Sequence, residues 1–211
     1  KASCGDFDGA KKILKKLQER TPLLAQGWSI HGEIAQQMRD NAGALELFQK
    51  ALEANPYFAP AATMAGAIYL SENDFEKAAD MFRTALEIVP RSAPDNLGLG
   101  AALLALGGLD EAAERLEIAL RSDPSREDAA RFYLDICKND YKTGAIEHAI
   151  SRMETLLEIR PADAEAAFWL ARTYERADRH SDAAAAWKKV VEIDTTGRFS
   201  GIAEGKLAEK N

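Results

Sequence analysis

Three histidines, two cysteines and two short glycine-containing stretches are the groups in this 211-residue chain that could carry catalysis or hold a metal or nucleotide. His31, His148 and His180 stand far apart, and none has a second ligand or a nucleophile at a useful spacing. Thiolate metal sites draw their ligands from close pairs, whereas Cys4 and Cys137 are separated by 133 positions. Two isolated cysteines also make no disulfide framework, so cysteine usage leaves the compartment open. Gly98-Leu99-Gly100 begins like a dinucleotide fingerprint, but the third glycine and the preceding strand are missing. Gly205-Lys206 lacks the spacing of a phosphate-binding loop. The sequence therefore offers no catalytic, cofactor-binding or metal-binding residues, and an enzyme is not expected.

What would have to position any functional group is a repeating unit. Pro22, Pro56, Pro90 and Pro124 are spaced by 34 residues, and Pro161 follows after 37. A fixed period of this size marks one small unit copied in series. The copy 25–58 carries Trp28, Gly32, Ala44, Phe48, Ala51 and Pro56. In 59–92 the matching residues are Gly66, Tyr69, Ala78, Phe82, Ala85 and Pro90, and in 93–126 they are Leu99, Gly100, Ala112, Leu116, Ala119 and Pro124. This pattern resembles the tetratricopeptide repeat. The resemblance implies an all-α fold, a right-handed α-solenoid of antiparallel helix pairs, in which each copy supplies the interior its neighbour lacks.

The residues support that fold independently. Apolar positions recur at three- and four-residue spacing through each half of a unit, as two amphipathic helices require. Between the halves lie Arg39-Asp40-Asn41, Glu72-Asn73-Asp74 and Gly107-Gly108, which favour turns. Gly32, Gly66 and Gly100 are expected to face Ala44, Ala78 and Ala112, so that the paired helices approach closely. Each proline stops a second helix, because it has no N–H and clashes with the preceding turn.

The copies divide the chain into a partial repeat at 1–24, mainly a second helix, then full units at 25–58, 59–92, 93–126, 127–163 and 164–197, and a capping helix at 198–211. In the partial repeat Ala10, Leu14 and Leu17 are expected to face inward. The unit 127–163 fits only with three extra residues around Lys138 to Thr143, which lengthen either its first helix or its turn. That insertion reads as a tolerated surface feature or as a kink that shapes a binding site. The chain opens inside a repeat, so a piece of a longer protein is expected.

The resemblance also implies a concave groove lined by first-helix residues. Carried over position by position, these are Ser29, Glu33 and Gln36, then Thr63, Ala67 and Leu70, then Leu97, Ala101 and Leu104. They continue with Arg131, Asp135 and Lys138, and end with Phe168 and Arg172. The helix holding Leu97 is apolar all round, which a water-facing helix should not be. Three readings follow: its curvature packs it against neighbours, a peptide or amphipathic helix covers it, or the chain associates with itself there. Arg131, Lys138 and Arg172 flank that trough as sites for acidic groups. Some proteins of this kind clamp the carboxylate tail of heat-shock chaperones with lysine and asparagine; Ser29, Glu33 and Met64 stand at such places, so that role is not expected.

Composition narrows the partners. The net charge is −7, and no concentrated basic stripe appears, so nucleic acid is not an expected partner. No apolar run is long enough for a transmembrane segment. A soluble protein of the cytoplasm or periplasm is expected, and the acidic, alanine-rich composition suggests a bacterial one. The expected function is a non-catalytic scaffold that binds a protein or peptide segment in its groove. Alternatives are the regulatory or targeting module of a larger enzyme such as a transferase, and a homo-oligomer.

Overall fold

Eleven helices and no strand make up the described part of the chain. The computed structural model describes residues 9, 12, 13, 16 and 24–209; Cys4, Ala10, Leu14, Leu17 and Pro22 lie outside them. We number the helices α1 (Ala25–Gln37), α2 (Asn41–Ala54), α3 (Ala59–Ser71), α4 (Phe75–Ile88), α5 (Ala93–Ala105) and α6 (Leu109–Ser122). Then come α7 (Glu127–Thr143), α8 (Ile146–Ile159), α9 (Ala164–Arg176), α10 (His180–Ile193) and α11 (Ser200–Ala208). The chain divides within α6 into two units, residues 1–115 and 116–211. Among the described residues no helix is long and apolar enough to cross a membrane.

Local chemistry explains where the helices begin and end. Asp40, Asp74 and Asp163 cap α2, α4 and α9 by accepting the amides of Gly43, Lys77 and Ala166, groups that have no partner inside the helix. Pro60 and Pro94 sit in the first turns of α3 and α5, where a missing N–H is harmless. Each first helix then ends on a left-handed residue: Arg39, Asn73, Gly107, Gly144 and Asp178, with φ of 63°, 61°, 83°, 88° and 57°. The amide that follows it returns to a carbonyl five positions back, from Asp40 to Ala35, Asp74 to Tyr69, Gly108 to Leu103, Ala145 to Asp140 and Arg179 to Tyr174. This is the Schellman closure. It turns the chain sharply, so that the second helix folds back on the first.

In the first unit α1 packs on α2, α3 on α4, and α2 and α4 each pack on the next first helix; α3 also touches α1 and α5. At Gly32 and Gly66 the nearest neighbour is an aromatic ring. A β-carbon on Gly32 would lie 2.7 Å from Phe48 Cε1, and one on Gly66 3.1 Å from the Phe82 ring. The missing side chains thus make room for an aromatic ring one turn beyond the alanines, while Ala44 and Ala78 are fully buried in their own right.

In the second unit α7 packs on α8, α8 on α9, α9 on α10 and α10 on α11, and α7 also touches α9. Here α7 has 17 residues, whereas α1, α3, α5 and α9 each have 13. The extra residues extend its C-terminal end by about one turn. The insertion is therefore helical. Where a proline would close the last copy, Asp194 accepts the amides of Thr196, Phe199 and Ser200 and the Thr196 hydroxyl, which ties α11 to the end of α10.

Candidate functional site

Burial sorts the groove residues into those that reach solvent and those that do not. On α1, Ser29 is 2% exposed and belongs to the interior, while Glu33 and Gln36 are half-buried. The Ser29 hydroxyl is buried there without a hydrogen-bond partner among the described residues. On α3, Thr63 is half-buried and donates its hydroxyl to the Ala59 carbonyl, Leu70 is half-buried and Ala67 is exposed. On α5, Leu97 is 9% exposed and packs inward, leaving Ala101 and Leu104 half-exposed.

The N-terminal turn of α5 is buried together with its polar groups. Asp95 accepts the Ser92 hydroxyl at 2.5 Å, and the Asn96 amide donates to the carbonyls of Pro90 and Ser92. Those bonds let two polar residues, 3% and 0% exposed, sit in an apolar setting. Eight of the thirteen residues of α5 are buried.

In the second unit the expected residues come together on two helices. Arg131 and Asp135 are exposed on α7, and Lys138, one turn further on, bridges to Glu165 of α9 at 2.7 Å and to Asp135 at 3.6 Å. Arg131, Lys138 and Glu165, with Leu134, Glu127 and Asp163, line a cleft of about 380 Å³, and Asp135 lies outside its lining. Phe168 is 8% exposed and lies among the rings of Trp169, Trp187 and Phe199, at centroid distances of 5.9, 5.4 and 4.8 Å. It is an anchor for α9, α10 and the segment leading to α11, not a surface contact. Arg172 remains exposed.

Three further residues belong to this face. Tyr141, on the turn added to α7, meets Trp169 edge-on at 5.6 Å. The Arg172 guanidinium lies 5.2 Å from the Trp169 ring centre and 5.8 Å from those of Tyr141 and Phe168. Arg176 stacks on Tyr141 at 4.9 Å and donates to the Tyr141 carbonyl. Arg131, Lys138 and Tyr141 continue one stripe of α7, and Trp169, Arg172 and Arg176 continue one stripe of α9. That stripe is readable as three- and four-residue spacing once the insertion, open in the sequence to reading as a tolerated surface feature or as a kink that shapes a binding site, is placed in the helix.

The titratable groups elsewhere are structural. Cys137 is fully buried and free, and burial, with the nearby Asp140 carboxylate, pushes its thiol up to about 12, so it is a poor nucleophile. Of the histidines, His31 is half-buried and His148 and His180 are exposed. Among the described residues no group of three or more His, Cys, Asp or Glu is placed to hold a metal ion. On the helix α8, α9 and α10 side, a second cleft of about 430 Å³ has Leu157, Leu170 and Tyr174 in its lining.

Sequence and structure comparisons agree with this architecture. Tetratricopeptide repeat profiles match residues 35–95, 69–134 and 138–197. No curated protein matches the chain. Among solved structures it is similar to the C-terminal part of a TPR repeat-containing protein from Cytophaga hutchinsonii, at 17% identity and a TM-score of 0.70, covering 96% of this chain and 83% of that one. It is similar to YrrB, a TPR protein with an unusual peptide-binding site, at 21% identity and a TM-score of 0.61, covering 91% of this chain and 97% of that one. It is also similar to the first TPR of Spaghetti bound to an HSP90 peptide, at 22% identity and a TM-score of 0.53, covering 55% of this chain and 92% of that one.

Proposed function

Because the chain belongs to the tetratricopeptide repeat family, we propose that it is a non-catalytic module that binds a segment of another protein along the first helices of its repeats and so assembles a complex. The observation that carries this reading is the partly exposed apolar row Ala67, Leu70, Ala101 and Leu104 on α3 and α5, two first helices in contact. Contiguous apolar surface on a water-facing helix pair marks an interaction site, and an apolar row at such spacing suits a peptide or amphipathic helix. YrrB and Spaghetti, peptide binders by their descriptions, support the reading by analogy of fold.

Leu104 is the residue to test, because Leu97 is interior and its replacement would disturb the fold. Peptides selected from a displayed random library on the full chain should lose binding to the Leu104→Asp and Ala101→Asp variants. Helicity and melting should stay near wild type, since both positions are half-exposed. Unchanged binding to both variants sinks the proposal for this row.

A further inference from the structure

The chain carries a net charge of −7, yet among the described residues the two arginines of α9 form no ion pair with an acid. Among the described residues, Arg172 contacts only the rings of Tyr141, Phe168 and Trp169, and Arg176 contacts only the Tyr141 ring and carbonyl. Neighbouring carboxylates are committed elsewhere: Glu165 to Lys138 and Arg198, Asp140 to Arg152, and Glu175 to Lys206. Both arginines are exposed and both lie over aromatic rings, which leaves the donors that Arg176 does not give to the Tyr141 carbonyl available to a ligand. Arg131, stacked on Phe132 and likewise without an acid, extends the positive charge along α7.

We propose that this face, built from Tyr141, Trp169, Arg172 and Arg176, captures an extended Asp/Glu-rich segment of a partner protein. Charge complementarity selects the occupant, and spacing refines it. Residues four apart on a helix have side chains about 6 Å apart, close to the ~6.7 Å between alternate residues of an extended strand. Carboxylates at every second position therefore meet Arg172 and Arg176 in turn, each accepting a charge-assisted, bidentate bond. The intervening apolar side chain lies against Trp169 and Tyr141, residue types that dominate binding at interfaces. Nucleic acid fits less well, because the acidic chain repels a phosphate backbone beyond these few cations. Three of the four residues lie outside the groove positions of the repeat pattern, and Tyr141 is present only because α7 is one turn longer. The inference rests on the chain being a protein-binding module.

The test uses the full chain and a fluorescein-labelled decapeptide in which Asp or Glu alternates with Leu or Tyr, followed by fluorescence anisotropy. Controls are its Asn/Gln counterpart and a ten-nucleotide single-stranded DNA. The acidic peptide should bind with an affinity that falls as salt rises, and the amide peptide should not bind. Arg172→Gln combined with Arg176→Gln should weaken it about tenfold or more, the scale of losing charged hydrogen bonds. Arg172→Lys should weaken it less, and Leu104→Asp should leave it unchanged. Equal binding of the amide peptide, indifference to the double variant, tighter binding of DNA, or no acidic-peptide binding at about millimolar concentration overturns the proposal. Self-association of the protein alone that the double variant abolishes also overturns it, by making a second copy the occupant. Failure of the acidic peptide to bind, while a library-selected peptide still needs Leu104, removes this inference while the module reading stands.

Discussion

Gly98 of α5 lies against the Phe82 ring of α4 so closely that a β-carbon there would overlap ring atoms Cζ, Cε1 and Cε2. Gly66 of α3 approaches the same ring from its own repeat, with 3.1 Å to an added β-carbon. One aromatic side chain, 3% exposed, is thus held between two helix backbones, and this contact joins one repeat to the next inside the first unit.

Gly98→Ala should destabilise the protein, and Gly66→Ala should do so much less. Overpacking costs about 1–3 kcal/mol, offset by about 1 kcal/mol of helix propensity gained over glycine. At Gly98 the clash wins; at Gly66 a shift of a few tenths of an ångström relieves it. Gly205, on α11 with nothing near its missing β-carbon, provides the control: Gly205→Ala should stabilise by about 0.4–1 kcal/mol. Urea unfolding midpoints check all three. A Gly98→Ala variant as stable as wild type would mean that the Phe82 ring moves aside freely.

The helix pairs were legible because their signals are local. Prolines at a period of 34, glycine or a small polar residue at the turn, and apolar residues at three- and four-residue spacing each act within one unit. Contacts made by long side chains were not legible. Phe48 and Phe82, rather than the alanines, fill the space at Gly32 and Gly66. Ser92 and Pro90 meet part of the hydrogen-bonding capacity of buried Asp95 and Asn96, while one oxygen of each has no partner among the described residues, an arrangement that depends on the exact backbone path. Ser29, Leu97 and Phe168 occupy the groove positions of the repeat pattern but are buried, since a helix position fixes direction only to within a face. The extra length of α7 was countable, but whether it fell in the helix or the turn decides where Tyr141 points.

Alkali should weaken the fold from about pH 9 upward. Burial raises the Cys137 thiol from 9.0 to about 12, and burial raises the Tyr133 and Tyr174 hydroxyls above their ordinary 10.0, helped for Tyr174 by its bond to Glu154. In the unfolded chain these groups lose protons near their ordinary values, while in the folded chain they keep them. Their contribution is full below pH 9 and declines as pH climbs toward the folded values. Melting temperatures at pH 8, 9.5 and 11 should fall progressively, and Cys137→Ala should flatten the first part of that fall. In native protein at pH 8 a thiol reagent should leave Cys137 unreacted, and denaturant should expose it; rapid native labelling would show that the α7–α8 interior opens.

Acid should release α11 before the rest of the second unit. The Thr196 hydroxyl and the amides of Phe199, Ser200 and Thr196 hold the Asp194 carboxyl down at about 2, against its ordinary 3.8. A depressed folded value stabilises above the unfolded value and is lost as pH falls from about 4 to about 2. Amide exchange at Ala203, the buried residue of α11, should accelerate through that window in wild type. In Asp194→Ala it should be fast at every pH. A wild-type amide that stays protected to pH 2 would show that the carboxylate is not what fastens α11.

Asp140 and Arg152 test whether the added turn of α7 is structural or merely tolerated. Their side chains are 9% and 16% exposed and meet at 2.5 Å, joining α7 to α8 at the place where the chain departs from its period. Asp140→Ala removes a buried carboxylate from the Arg152 guanidinium, which should lower the melting temperature. Replacing both partners, Asp140→Ala with Arg152→Met, should recover much of that loss, because an apolar pair needs no desolvated charge to be balanced. The single variant should also shift Trp169 emission, since Tyr141 follows Asp140 directly and rests on the Trp169 ring. If the single variant melts as wild type and leaves that emission unchanged, the extra turn is a passive extension and Tyr141 is held by α9 alone.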